Sequence, residues 1–260
     1  MVGSGLVCAL TVGVGSAAAA PWIVSSTQAA ALVEAHATVL DTRGRLAYFS
    51  GHIPGAVRVD WRIGVTGGFL SGKLGNPSAA AAAFESIGVD VDRPVLVVGE
   101  WDRGWGEEGR IAWDLAYLGH PAISVLEGGM AAWVGATTLS LPAPTRGRFP
   151  AQPKPGLRAT VASIQGGGST VIDVRERAEF EGATPYGEAR GGHIPGAVSL
   201  PWRGLLAGDM PAAEPRVPLT VYCTGGVRSA MAWLWLTDRG YSVANYDGSW
   251  WEWAREVTAP

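Results

Sequence analysis

The stretch with the most chemical content is Tyr222-Cys-Thr-Gly-Gly-Val-Arg-Ser229. The apolar run 219–222 predicts a buried strand that ends just before Cys223, and residues 227–239 predict a helix. A cysteine between a parallel strand and a helix stands where open α/β sheets place their sites. Gly225 and Gly226 permit a tight loop. The N–H groups of such a loop and the helix dipole favour a thiolate, so we predict Cys223 as the nucleophile.

The length of this loop separates sulfur chemistry from phosphate chemistry. Arg228 follows Cys223 in the spacing Cys-x4-Arg, and it would add positive charge and organise the loop. A cysteine phosphatase or arsenate reductase uses Cys-x5-Arg, and residue 229 is a serine, a candidate helix cap or neighbour of the sulfur. The smaller loop suits a single sulfur atom, which favours sulfur transfer or sulfur carriage over phosphate chemistry.

Four motifs recur along the chain in the same order, which indicates two homologous domains. The clearest is His-Ile-Pro-Gly-Ala-Val, which begins at His52 and again at His193. The other three are an Asp-x-Arg strand end, an apolar strand, and a Gly-rich turn followed by tryptophan. The first copy has additional residues around 62–76, and the second has them around 181–190.

Short β-branched runs alternate with helical patterns in both copies, so we predict an α/β fold of two tandem domains. Each domain is expected to hold a mostly parallel sheet flanked by helices. We predict an inactive domain at 22–140, a proline-rich, extended linker at 141–156, and a catalytic domain at 157–260.

Composition limits the partners and the compartment. The chain has 260 residues, 47% of them hydrophobic, and a net charge of −3, which argues against nucleic acid or an anionic membrane as partner. The two cysteines, Cys8 and Cys223, form no disulfide framework or zinc pattern. The uncharged segment 1–20 predicts a cleaved export signal and a periplasmic or secreted protein without stable membrane insertion. A membrane anchor, or an extension of a cytoplasmic protein, are the alternatives.

The repeated motifs and the cysteine loop resemble the rhodanese family of sulfurtransferases, specifically its tandem-domain type. In that family the N-terminal domain lacks the cysteine, and here Gly99 is paired with Cys223. The resemblance implies a persulfide on Cys223, held by the backbone of residues 224–228. The sulfur would come from thiosulfate and pass to cyanide or a thiol. It implies no metal or cofactor, and we expect a monomer.

The resemblance also suggests further site residues and further functions. His52 could face Cys223 across the domain cleft, or it could be a turn histidine bonded to backbone. Arg175 could add positive potential to the anion path, or it could form a structural salt bridge with Asp173. Relatives carry a substrate-binding arginine where this chain has Glu179. Turnover of 3-mercaptopyruvate and persulfide carriage without free turnover are the alternative functions.

The remaining candidates are aromatic and acidic. Trp250 and Trp251 could line the pocket or fill the core. Glu100, Glu107 and Glu108, in the loop of the inactive domain, are expected to be solvated.

Overall fold

Both domains contain a parallel sheet with helices packed against it, in a computed structural model that describes residues 21–257. The first sheet has five strands in the order β1-β5-β4-β2-β3, and the second has four in the order β7-β6-β8-β9. The strands are β1 (Ile23–Val24), β2 (Thr38–Asp41), β3 (Val57–Arg58), β4 (Val95–Val98), β5 (Ile123–Leu126), β6 (Thr170–Asp173), β7 (Val198–Ser199), β8 (Leu219–Tyr222) and β9 (Val243–Asn245).

The helices lie between these strands. They are α1 (Ser26–Glu34), α2 (Arg45–Phe49), α3 (Pro77–Ser86), α4 (Glu107–Tyr117), α5 (Val161–Gln165), α6 (Arg177–Phe180), α7 (Trp202–Leu206), α8 (Arg228–Asp238) and α9 (Ser249–Glu256). Short 3-10 turns occupy Trp101–Arg103, Gly129–Ala132 and Pro155–Leu157. Local sequence explains several starts: Ser25 and Thr160 form capping boxes, and Asn76 caps a helix that opens with proline.

The second sheet repeats the register of the first. Thr38 of β2 pairs with Val95 of β4, and Thr170 of β6 pairs with Leu219 of β8 in the same way. The central strands β4 and β8 are buried along their whole length, as apolar strands covered on both faces should be. The predicted fold class and the predicted strand at 219–222 are therefore confirmed.

One of the hydrophobic core clusters spans both domains. Its buried residues include Trp113 of α4 and Trp233 of α8, and these two helices pack against each other across the domain boundary. Gly109 allows the close approach, because a Cβ there would lie 2.8 Å from the Met231 nitrogen. A shared core holds the domains in one fixed relation, which the site requires.

The segment 141–154 contains no helix or strand and lies along the first domain. Phe149 is buried, and its N–H donates to the Glu85 carboxylate at 2.8 Å. The Gln152 N–H donates to the Leu118 carbonyl. This part of the predicted linker is thus packed against the first domain, and the last residues of the linker enter the 3-10 turn Pro155–Leu157. The predicted export signal and Cys8 lie outside the described residues.

Candidate active site

Cys223 follows directly after β8, the inner strand between β6 and β9. Its side chain is almost fully buried, at 1% exposure. Its N–H donates to Ser249 Oγ at 3.1 Å, and its carbonyl accepts the Trp250 N–H at 2.9 Å. The start of α9 therefore satisfies both polar groups of the Cys223 backbone. The thiol is the one polar group of this residue that these two contacts leave free to react.

The loop after Cys223 turns donors toward the sulfur. The Gly226 N–H donates to Sγ at 3.1 Å, and the Ser229 hydroxyl lies 3.6 Å from Sγ. Gly226 has a φ of +78°, and a Cβ there would contact the Asp247 carbonyl, so this position requires glycine. The sulfur thus lies within a cradle of donors at the N-terminus of α8, where the helix dipole favours an anion.

These surroundings decide the charge state of the thiol. Burial alone would raise the pKa of Cys223. The positive charge of Arg228, together with the hydroxyl and N–H of Ser229 and the N–H of Gly225, outweighs burial and lowers that pKa. A thiolate is the nucleophilic form of cysteine, so the loop prepares Cys223 for attack on an electrophilic sulfur.

Arg228 is held by a buried carboxylate. Its guanidinium nitrogens lie 2.6 and 2.8 Å from the two carboxylate oxygens of Glu179, and it also donates to Thr224 Oγ1 at 2.7 Å. The Thr224 hydroxyl donates to Glu179 at 2.6 Å. Burial would raise the pKa of Glu179, but the Arg228 charge and the hydrogen bonds lower it, so the pair is ionic.

Cys223 opens onto a cavity of about 770 Å³ between the two domains. Aromatic and aliphatic side chains of both domains form its walls: Trp61, Phe69, Leu70, Trp105, Tyr186 and Trp251. The additional residues of the two repeats meet here, since 62–76 supplies Phe69 and Leu70 and 181–190 supplies Tyr186. Gly72 packs on the Gly225 carbonyl, so the first domain also contacts the cysteine loop itself.

The structure brings together most of the predicted site residues. Cys223, Thr224, Gly225, Val227 and Arg228 line the cavity. Gly226 and Ser229 instead contact the sulfur as hydrogen-bond donors.

His52 lies outside the cavity, so its suggested position opposite Cys223 is wrong. It is fully buried, with its ring stacked on Tyr48 at 4.0 Å between centroids. Its nitrogens contact the carbonyls of Tyr48 and Ser140 at 3.0 and 3.2 Å. His193 stacks on Phe180 in the same way. Because both repeats share this arrangement and only one has a cysteine, the histidine stabilises a turn.

Arg175 is likewise structural. It is fully buried, its Nη2 lies 2.6 Å from Asp173, and it also donates to the Gly192 carbonyl at 2.7 Å. Arg43 makes the equivalent contacts with Asp41 and Gly51 in the first domain. Arg175 does not line the cavity, so the hypothesis that it faces the anion path is not supported by its position.

The expectation of solvated acids in the inactive loop is wrong for Glu108. Glu108 is fully buried and accepts the Trp101 N–H at 2.7 Å. A Cβ at Gly99 would contact the Glu108 carboxyl, so this carboxyl fills the space next to the position paired with Cys223. Burial raises the pKa of Glu108 to about 8. Glu107 is half-buried and lines the cavity between the two domains.

Sequence reasoning missed the supporting residues. Glu179 was noted only as a departure from a pattern, and Ser249 was not singled out. Trp251 lines the cavity, whereas Trp250 is part of the core. The two tryptophans are adjacent in the sequence, so the sequence alone could not show which of them faces the cavity. The unequal lengths of the repeats were the available signal for the wall residues, because both insertions flank the cavity.

Residues 21–257 lack two kinds of feature. They contain no cluster of three or more His, Cys, Asp or Glu side chains placed to hold a metal ion. No helix there is long and apolar enough to cross a membrane.

Comparison with known proteins agrees with this geometry. A rhodanese-like domain matches twice, at residues 25–136 and 158–256. A thiosulfate sulfurtransferase of Corynebacterium glutamicum is 32% identical over 253 residues, covering 83% of this chain and 81% of that protein. The sulfur carrier protein TtuD of Thermus thermophilus is 29% identical over 253 residues, covering 83% and 86%.

A solved structure extends the match to the whole fold. The crystal structure of SseA from Escherichia coli, a 3-mercaptopyruvate sulfotransferase, superposes with a TM-score of 0.76 at 26% identity. The match covers 89% of this chain and 99% of SseA. The chain belongs to the rhodanese family, and it is a sulfurtransferase.

Proposed function

We propose that this chain transfers a sulfane sulfur from thiosulfate, or a related donor, to cyanide or a thiol through a persulfide on Cys223. The observation that carries the proposal is the Cys223 sulfur itself. It lies at the wall of a cavity, 3.1 Å from the Gly226 nitrogen, in surroundings that lower its pKa.

The first half-reaction forms the persulfide. The Cys223 thiolate attacks the outer sulfur of thiosulfate, the S–S bond of the donor breaks, and sulfite leaves with the bonding electron pair. The new terminal sulfur carries the negative charge. The N–H groups of the loop after Cys223 are fixed before the reaction, so they stabilise this charge without reorganising.

The second half-reaction releases the sulfur. Cyanide or a thiolate attacks the terminal sulfur, the S–S bond of the persulfide breaks, and the Cys223 thiolate returns. Both steps are exchanges at sulfur, and neither draws on a metal or an organic cofactor. The lowered pKa of Cys223 also makes its thiolate a good leaving group in this step.

The test is thiocyanate formation from thiosulfate and cyanide. The unmodified chain should turn over with double-displacement kinetics, and Cys223→Ser and Cys223→Ala should lose activity by at least about a thousandfold. Cys8→Ser is the matched control, because it removes the other thiol and should leave the rate unchanged. Equal loss in Cys8→Ser, or retained activity in Cys223→Ser, would contradict the proposal.

Two alternative functions share this persulfide. With 3-mercaptopyruvate as donor, pyruvate would leave in place of sulfite, as the similarity to SseA suggests. The similarity to a sulfur carrier protein favours storage of the persulfide for a partner. A stable persulfide that cyanide discharges slowly would support carriage, whereas rapid discharge supports free turnover.

The N-terminal segment and the assembly complete the proposal. Residues 1–20 act as an export signal, so that the mature periplasmic or secreted chain begins at Pro21. A native protein whose N-terminal sequence begins at Met1 would contradict export. The mature chain is a monomer, which light scattering after size exclusion tests directly.

A further inference from the structure

The cavity beside Cys223 is more apolar than an inorganic anion requires. Its walls carry four tryptophan or phenylalanine rings besides Tyr186: Trp61, Phe69, Trp105 and Trp251. Trp105 of the first domain meets Tyr186 of the second edge-on, with 5.6 Å between their centroids. A thiosulfate ion has no apolar surface to bury against these rings, whereas a flat organic body does.

The charged residues of the cavity also favour an organic donor over an inorganic dianion. Among the described lining residues only Arg228 is cationic, and its guanidinium is already paired with the Glu179 carboxylate through two short contacts. The guanidinium of Arg228 also lies 5.6 Å from the ring centroids of Trp105 and Tyr186. The other charged lining residue is Glu107, a carboxylate. Arg62 stacks on the Trp61 and Phe69 rings but is not itself a lining residue. A dianion would therefore meet no lining cation that lacks a carboxylate partner.

We propose that the cavity is built for an organic sulfur donor that has an aromatic or similarly flat body and at most one negative charge. This inference rests on the proposed function and names the class of donor for the same site. Thiosulfate still loads Cys223, but less efficiently. For an aromatic thiosulfonate, the Cys223 thiolate attacks the outer sulfur and the donor S–S bond breaks. The sulfinate then leaves with the electron pair.

Three donors separate the effects of charge and ring. Benzenethiosulfonate and methanethiosulfonate carry the same single charge and differ by the ring, and thiosulfate carries two charges. With cyanide as the common acceptor, kcat/KM for each donor reports persulfide formation alone. Burial of about 100 Å² of ring surface predicts a preference of roughly 50-fold for benzenethiosulfonate over methanethiosulfonate.

Wall variants show whether the preference arises in this cavity. Phe69 is 80% exposed at the wall, so Phe69→Ala should fold normally and lower the preference for benzenethiosulfonate several-fold. Trp105→Ala should do the same. Phe49→Ala is the matched control, because Phe49 is an exposed phenylalanine of the same domain that does not line the cavity.

A charge variant tests the second half of the inference. Glu107→Gln should raise kcat/KM for thiosulfate about three- to tenfold while changing that for methanethiosulfonate less. The matched control Glu127→Gln alters an exposed carboxylate outside the cavity and should change neither.

The outcomes separate the inference from the proposed function. A benzenethiosulfonate preference that falls in Phe69→Ala and Trp105→Ala but not in Phe49→Ala supports the inference. Equal or better use of thiosulfate, or a preference that no wall variant changes, overturns it and leaves the sulfurtransferase cycle intact. Failure of all three donors to load Cys223 overturns the proposed function, and the inference with it.

Discussion

Ser229 should set part of the acidity of Cys223, and its removal has a calculable effect. The Ser229 hydroxyl lies 3.6 Å from Sγ and is buried, so Ser229→Ala removes one donor to the thiolate without leaving a protein partner unpaired. Hydrogen bonds to charged groups contribute about 1.5–3 kcal/mol. Because the contact from Ser229 to Sγ is long, we take its contribution as about 1 kcal/mol, below that range. That loss makes the ratio of thiolate to thiol about fivefold lower at a given pH, so the pKa of Cys223 should rise.

The assay is the rate of alkylation of Cys223 by iodoacetamide as a function of pH, read by peptide mass so that Cys8 is counted separately. The midpoint for Ser229→Ala should move to higher pH, because the thiolate has lost a donor. Ser124→Ala is the matched control, since it removes the hydrogen bond of a buried serine to the Pro21 carbonyl, far from the thiol in the first domain. An unchanged or lower midpoint in Ser229→Ala would refute the role of this hydroxyl.

Three further substitutions test the supporting structure. His52→Ala should lower the free energy of unfolding by about 2–3 kcal/mol in urea titration and leave donor kcat/KM unchanged; altered kinetics without a stability loss would contradict a turn role. Glu108→Gln should remove a pH dependence of stability. The pKa of Glu108 is about 8 in the folded protein and 4.5 ordinarily, so the stability that protonated Glu108 contributes below pH 4.5 is lost as the pH rises through 8. Melting curves that depend on pH identically in both proteins would contradict this. Gly109→Ala should cost about 1–3 kcal/mol, because its Cβ meets Met231 at the crossing of α4 and α8; an unchanged melting temperature would show that the helices can separate.

The sequence predicted the frame of the molecule because repetition and periodicity are local signals. The strand before Cys223 and the helix after it are fixed by short apolar runs and by glycine. The predicted helix at 227–239 is observed as Arg228–Asp238. The doubled motifs also indicated two domains, since each copy carries its own Asp-x-Arg strand end.

The walls of the site could not be predicted, because they depend on how the two domains meet. Phe69 is more than 150 residues from Cys223 and lies in an insertion without regular structure. Glu179 was visible as an acid at an unusual position, but only the fold shows that it pairs with Arg228. His52 shows the opposite error, because the family resemblance suggested a site role for a histidine that the structure uses to stabilise a turn.

The persulfide itself is the most direct test. The intact mass of the purified protein should be measured before and after incubation with thiosulfate or benzenethiosulfonate, with Cys223→Ser measured beside it. We expect the unmodified chain to gain one sulfur atom and to lose it on addition of cyanide, and Cys223→Ser to gain none. No gain with either donor, or an equal gain in Cys223→Ser, would contradict sulfur transfer through Cys223.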